Sequence, residues 1–155
     1  MRLHVVAVGR LKAGYAREGC APYLERIRHP FSASLIEVRE PRRGRGGKVD
    51  RWRAQEAEAL RSAADGALVA LDERGRQFDS RGFARWLGEQ RDRSVGAMSF
   101  LVGGPDGLDP ALRASAALTW SLGKLTMPHD LARLVLCEQL YRATTILAGS
   151  PYHRD

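Results

Sequence analysis

The chain has 155 residues, enough for one domain, and its 44% apolar content is sufficient to build a core. Charged residues make up 28%, a share typical of a folded protein rather than a disordered one. The net charge is +7, and the opening MRLHVVAVGR holds too short an apolar run for a signal peptide or a membrane span.

Strand-length apolar runs alternate with stretches of helical period. Leu3–Val8 is predicted to form a strand, followed by a helix over Tyr15–Ile27. Ser34–Val38 reads as the second strand. Between Arg39 and Arg53 there follow seven basic residues (Arg39, Arg42, Arg43, Arg45, Lys48, Arg51, Arg53) against two acids, Glu40 and Asp50, so this segment supplies +5 of the net +7. Its centre, Arg42–Lys48, is too rich in glycine and too close to Pro41 to hold a helix or strand unaided. A mobile basic loop suits a phosphate backbone, and a solvated loop that maintains solubility is the other reading. A helix is expected from about Val49 to Ala64, a strand over Ala67–Leu71, and a helix over Gly82–Gln90 opened by Asp79 and Ser80 as cap candidates. Met98–Val102 is the fourth strand, a helix with proline in its first turn lies near Pro110–Ala116, and Leu118–Leu122, or the segment just after it, forms a short fifth strand. The last helix, Leu131–Leu147, is apolar over more than one stripe, which predicts burial on more than one side; Glu138 and Arg142 have the spacing of an i,i+4 pair.

This rhythm predicts an α/β fold with a mostly parallel sheet flanked by helices, in one domain spanning 1–155. Ligands in such sheets bind beyond the carboxyl ends of the strands, which directs attention to the segments after Leu71, Val102 and Leu122. The first, Leu71-Asp72-Glu73-Arg74-Gly75-Arg76, reads as a polar turn and on local grounds as an ordinary charged loop. The second, Gly103-Gly104-Pro105-Asp106-Gly107-Leu108, lets a ligand approach the backbone, but it is neither a dinucleotide fingerprint nor a P-loop, and a plain tight turn fits equally. The third, Leu122 to His129, offers backbone donors and acceptors for a flat heterocycle, or is simply a small-residue loop before a helix. The tail Ser150-Pro151-Tyr152-His153-Arg154-Asp155 combines a ring, an imidazole and a guanidinium suited to stacking, proton movement and phosphate contact; a frayed terminus is the bland alternative.

Other chemistries lack their signatures. The four histidines (His4, His29, His129, His153) have no metal-ligand spacing, so no metal is expected, and there is no Gly-x-Ser-x-Gly elbow. Cys20 and Cys137 form no redox or metal motif, which suits reduced thiols in a cytoplasmic protein without a membrane partner.

Taken in order, Ala7-Val8-Gly9-Arg10-Leu11-Lys12, Leu71-Asp72 with Gly75, Gly103–Leu108, Leu125-Thr126-Met127-Pro128-His129, the stretch from Arg133 to Glu138-Gln139-Leu140-Tyr141-Arg142-Ala143, and Pro151-Tyr152-His153-Arg154 resemble the RlmH family. These are small SPOUT-class methyltransferases of bacterial large-subunit rRNA, and the resemblance spans essentially the whole chain. It implies a C-terminal trefoil knot, a homodimer, S-adenosyl-L-methionine (SAM) as cofactor, and methyl transfer to N3 of a pseudouridine in 23S rRNA. The cofactor contacts that it carries over are Leu71, Gly103, Leu122, Gly123, Lys124, Leu125, Thr126 and Met127. The chain departs from the commonest pattern in ending on Asp155 where glutamate is frequent, and in a basic loop richer in arginine and glycine.

For the reaction we expect in-line attack by the imide nitrogen on the sulfonium methyl group, with the protein supplying alignment and proton removal. His153 is the first candidate base, because a near-neutral pKa suits that task, and His129 competes with it. Tyr152 is placed to stack on or orient the base, while Arg142 and Arg154 contact phosphate or developing negative charge. The tail of one subunit is expected to complete the other's pocket. The rival readings are a non-catalytic RNA-binding or ribosome-associated factor and a knotted tRNA methyltransferase.

Overall fold

The computed structural model describes residues 1–44 and 47–154. Arg45 in the basic loop and the terminal Asp155 lie outside the described residues. The described chain alternates strands β1 (Arg2–Val8), β2 (Ser32–Val38), β3 (Ala67–Gln77), β4 (Ala97–Val102) and β5 (Leu118–Ser121) with helices α1 (Gly14–Glu25), α2 (Val49–Ala63), α3 (Ser80–Asp92), α4 (Pro110–Ala114) and α5 (His129–Leu147). The strands form one sheet in the order β2-β1-β4-β3-β5, and every pairing is parallel. The expected α/β architecture is therefore present.

Both faces of the sheet are covered, which explains why its central strands read as unbroken apolar runs. All six residues of β4 are buried. Alternation along each strand divides the core in two. Val5 and Phe100 point into a cluster with Ala16 and Cys20 of α1, Phe83 and Leu87 of α3 and Leu136 and Leu140 of α5. Val6 and Leu101 point the other way, into a cluster with Leu60 of α2 and Leu112 of α4. The larger core includes a stack of Phe83 on Trp120, with ring centroids 3.9 Å apart and planes 17° apart.

The helix starts follow from their caps. Asp79 accepts the Gly82 amide at 2.5 Å, and Asp109 accepts the amides of Ala111 and Leu112 with Pro110 in the first turn. The third strand departs from expectation. Instead of ending at Leu71 in a polar turn, β3 runs on to Gln77, with a register shift between Leu71 and Arg76 where it pairs with Trp120 of β5. Gly75 permits this close pairing, since a Cβ there would lie 2.7 Å from the Thr119 carbonyl group.

The last helix packs on α1, α3, β1 and β4, as its broad apolar surface predicts. Its first turns hold the β1–α1 connection in place. Asp130 accepts the amides of Lys12 at 3.0 Å and Ala13 at 2.9 Å. Arg133, fully buried, donates to the carbonyls of Gly9, at 2.9 Å, and Val8. One turn further on, Cys137 of α5 joins Cys20 of α1 in the same core cluster, both thiols buried and free. No helix among the described residues is long and apolar enough to cross a membrane.

Candidate active site

The carboxyl ends of β4 and β5 and the middle of β3, from Leu71 to Arg74, open onto a cleft of about 430 Å³. This volume is in the range of small-molecule sites. Of the eight cofactor positions carried over from the family, the cleft gathers Leu71, Gly103, Leu122, Gly123, Leu125, Thr126 and Met127; Lys124 does not line it. Apolar side chains and the backbone of the segment after β5 form one wall. The first turn of α5 closes the floor with His129 and Ala132. Leu125 stands 79% exposed at the mouth, an apolar side chain with little protein to cover it.

Gly103 is required by the loop itself. A Cβ there would lie 2.8 Å from the carbonyl carbon of Gly107, so any side chain would force apart the turn that forms the cleft's edge. The opposite rim is acidic and tightly bonded. Burial favours the neutral form of Asp72, but hydrogen bonds from the side chain and amide of Arg74 and from Arg113 outweigh it and hold the carboxyl far below the usual carboxylate range. Next to it, Thr126 donates to the Glu73 carboxylate at 3.0 Å, tying the segment after β5 to β3.

Behind the glycine loop lies a cluster that the sequence reading missed. Glu56 of α2 is 2% exposed, accepts the Gly104 amide at 3.3 Å and meets Arg43 at 3.5 Å. Burial raises its pKa, and these partners only partly offset that. Arg43 also pairs with Asp106 at 2.7 Å and lies 5.0 Å from the Trp52 ring centroid, while Arg53 donates twice to the Asp106 carbonyl. Two cations of the basic segment are thus committed to bracing the cleft. The available signal was an acid at position 56, on the same face of α2 as Leu60.

The four catalytic candidates do not line this cleft. They, or the residues that anchor them, lie further along α5. Glu138 accepts from Arg142 at 3.0 and 2.5 Å, the expected i,i+4 pair, and from the Tyr152 hydroxyl at 3.0 Å. Burial, followed by the hydrogen bonds to Glu138 and Tyr23, raises the Tyr152 pKa. The Tyr152 ring packs edge-on against Tyr141 at 4.7 Å, and the Arg142 guanidinium lies 4.8 Å from its centroid. Arg142 also donates to His153 Nδ1 at 3.2 Å, and Arg154 follows, exposed. The competing base, His129, does line the cleft, with Nε2 3.5 Å from Asp130. Thirteen helical residues separate His129 from Arg142, which places the two groups about 20 Å apart along α5.

A parallel sheet with a ligand-sized cleft beside its strand ends, closed by a buried C-terminal helix, is the architecture of a small-molecule-binding α/β protein, and comparison with known proteins makes it a SPOUT-class methyltransferase. The family profile described as "Predicted SPOUT methyltransferase" matches residues 1–153, and the chain belongs to that family. Its relatives include proteins named ribosomal RNA large subunit methyltransferase H. The one from Beijerinckia indica subsp. indica is 47% identical, with 99% of each chain covered. The Deinococcus deserti protein is 48% identical over 99% of this chain and all of its own, and the Brucella anthropi protein 45% over the whole of both. A solved structure titled "The structure of a probable methylase family protein from Haemophilus influenzae Rd KW20" covers 99% of this chain and 70% of its own, with a TM-score of 0.53. At 12% identity it supports the fold alone.

Proposed function

We propose that the protein is a SAM-dependent methyltransferase of large-subunit rRNA that acts in the cytoplasm on N3 of a pseudouridine in 23S rRNA. One observation carries the reading: the cleft beside β3, β4 and β5 is assembled from the family's cofactor positions, in a chain nearly half identical to named rRNA methyltransferases.

The cleft fits SAM in size and in donor set. Backbone groups from Leu122 to Met127 would hold the adenine and ribose, with Leu71 and the apolar walls around them and Gly103 keeping the edge open. When bound, SAM supplies an activated methyl group on a good leaving group, so the protein's own work is alignment and proton removal. Tyr152, fixed by Glu138, orients the target base. His153 takes the imide proton. While Arg142 donates to Nδ1, the neutral ring carries its proton on Nε2 and offers no acceptor there. Proton uptake therefore requires Arg142 to release the ring, and an arriving phosphate would provide it with a new partner. Arg154, exposed beside it, binds the RNA backbone.

The separation of about 20 Å between the cleft and this tail means that one chain cannot bring its own His153 to its own cofactor. We assign the working form as a homodimer in which each subunit's tail completes the other's cleft. The trefoil knot belongs to the same proposal: α5 would thread the loop that makes the cleft, and its buried position between α1 and α3 supports this.

The test is incubation with labelled SAM and either large ribosomal subunits or tRNA, followed by mapping of the modified nucleotide. The reading expects N3-methylated pseudouridine in 23S rRNA. Label in tRNA, or RNA binding that is indifferent to SAM and leaves no label, would overturn it.

A further inference from the structure

A second cleft, of about 230 Å³, lies at the other end of the sheet, beside the amino end of β2 and the carboxyl ends of α3 and α5. It is lined by Arg26, Arg28 and His29 from the end of α1 and the turn after it, by Arg91 from the last turn of α3, and by Tyr141 and Thr145 of α5. Among the described residues, no acidic one lines it. Of the nearby acids, the exposed Asp92 pairs with Arg91 at 2.8 Å, a contact that an arriving phosphate must displace, and Arg28 meets Glu25 through the backbone carbonyl.

The cations are held in place. The Arg26 guanidinium lies 4.2 Å above the Tyr141 ring centroid and donates to its hydroxyl at 2.6 Å. Arg91 lies over Phe31 at 6.0 Å. Arg28 is exposed, so its charge reaches solvent, and His29 beside it is exposed as well. Arginine stacked on a ring keeps its planar fork pre-organised for a multi-oxygen anion. Arg26 also lies 5.7 Å from the Tyr152 ring centroid, which joins the cleft directly to the tail.

We infer that this cleft is a subsite for the RNA backbone, taking a phosphodiester next to the target nucleotide. The inference rests on the rRNA methyltransferase reading and names where that substrate is gripped. Tyr152 and His153 address the base, while Arg28 and Arg91 hold the phosphate beyond it. The base-facing groups of the tail thus lie next to a phosphate anchor on the same subunit.

The experiment is filter binding of a synthetic RNA stem-loop with one pseudouridine in its loop, across a salt series, for the wild type and for an Arg28→Ala/Arg91→Ala double variant. Arg26 is left intact because it packs on Tyr141. SAM affinity and thermal melting report whether the variant is folded, and sedimentation reports whether it still self-associates like the wild type. Loss of the one phosphate contact that Arg28 and Arg91 share lowers the log–log salt slope by about 0.7–0.9. Affinity at low salt falls at least several-fold, and an Arg28→Lys/Arg91→Lys variant recovers most of the slope. Unchanged affinity and slope in a folded double variant would overturn the inference. Loss of self-association would overturn it as well, because the cleft would then be a protein interface. Binding needs no chemistry, so a wild type that binds RNA without methylating it would refute the functional reading and leave this test intact.

Discussion

Mixed dimers put a number on the division of the active site between subunits. The perturbations are Ala132→Trp, which fills the floor of the cleft, and His153→Ala, which removes the proposed base from the tail. Each homodimer is expected to be nearly inactive, the first for want of cofactor binding, the second through loss of a proton acceptor worth roughly 10²–10⁴ in rate. Co-refolding or co-expression at equal ratio gives about half heterodimers in a symmetric two-fold assembly. In each heterodimer one cleft is intact and is served by the partner's intact tail, while the other lacks both. About a quarter of all sites are then complete, so specific activity should rise from near zero to about a quarter of wild type. If each chain used its own tail, every site would lack one element and activity would stay at the level of the parents. The assay is methyl transfer to large ribosomal subunits, with heterodimer content verified by two affinity tags. Confirmed heterodimers with no recovery would refute the shared site and the 20 Å argument behind it.

Three further outcomes follow from the interior. Arg133→Ala leaves the carbonyls of Val8 and Gly9 without their donor and Glu37 without a partner 3.5 Å away, and should cost about 3–5 kcal/mol in urea unfolding. Phe83→Ala removes the ring stacked on Trp120 and should cost about 3–5 kcal/mol, with a change in tryptophan emission in the native state. Asp130 has its folded pKa held below the usual value, burial opposing but the Ala13 and Lys12 amides prevailing. A depressed carboxyl contributes stability that is present above the unfolded value of about 3.9 and lost as pH falls toward the folded one. Wild-type stability should therefore drop below about pH 4, and the drop should be shallower in Asp130→Asn; parallel curves would show that Asp130 is not the group responsible.

What was legible in the sequence was what local chemistry decides. Apolar runs of strand length located the strands, Asp79 and Pro110 announced two helix starts, and the strand-end rule pointed to the three segments that meet in the cleft. What escaped depends on neighbours far away in the chain. The polar run Asp72–Arg76 looked like a turn, and it is part of a strand because Gly75 and Arg76 meet β5 and Asp72 accepts from Arg113 of α4. Cys20 and Cys137 had no informative spacing, yet the packing of α1 on α5 brings them into one core cluster. The positive charge of residues 39–53 overstated the cations available to RNA, since Arg43 and Arg53 are spent on Asp106 and Glu56.

The last helix turns these pieces into a functional argument. Its first turn supplies the floor of the cofactor cleft, and the same turn, through Asp130 and Arg133, fixes the end of β1. Its second half carries Glu138, the acceptor that holds both Arg142 and Tyr152. Because the helix is buried along most of its length, neither half-site can shift along it without repacking α1 and α3. On the proposed reading the helix is a fixed spacer between the cleft and the tail, which are too far apart to work together in one chain. Two such spacers related by a two-fold axis solve the problem if they run in opposite directions, each bringing its tail end to the other's cleft. On that arrangement the phosphate subsite beside Tyr152 would lie at the rim of the partner's cleft, so that RNA grips one subunit while its base is methylated at the other.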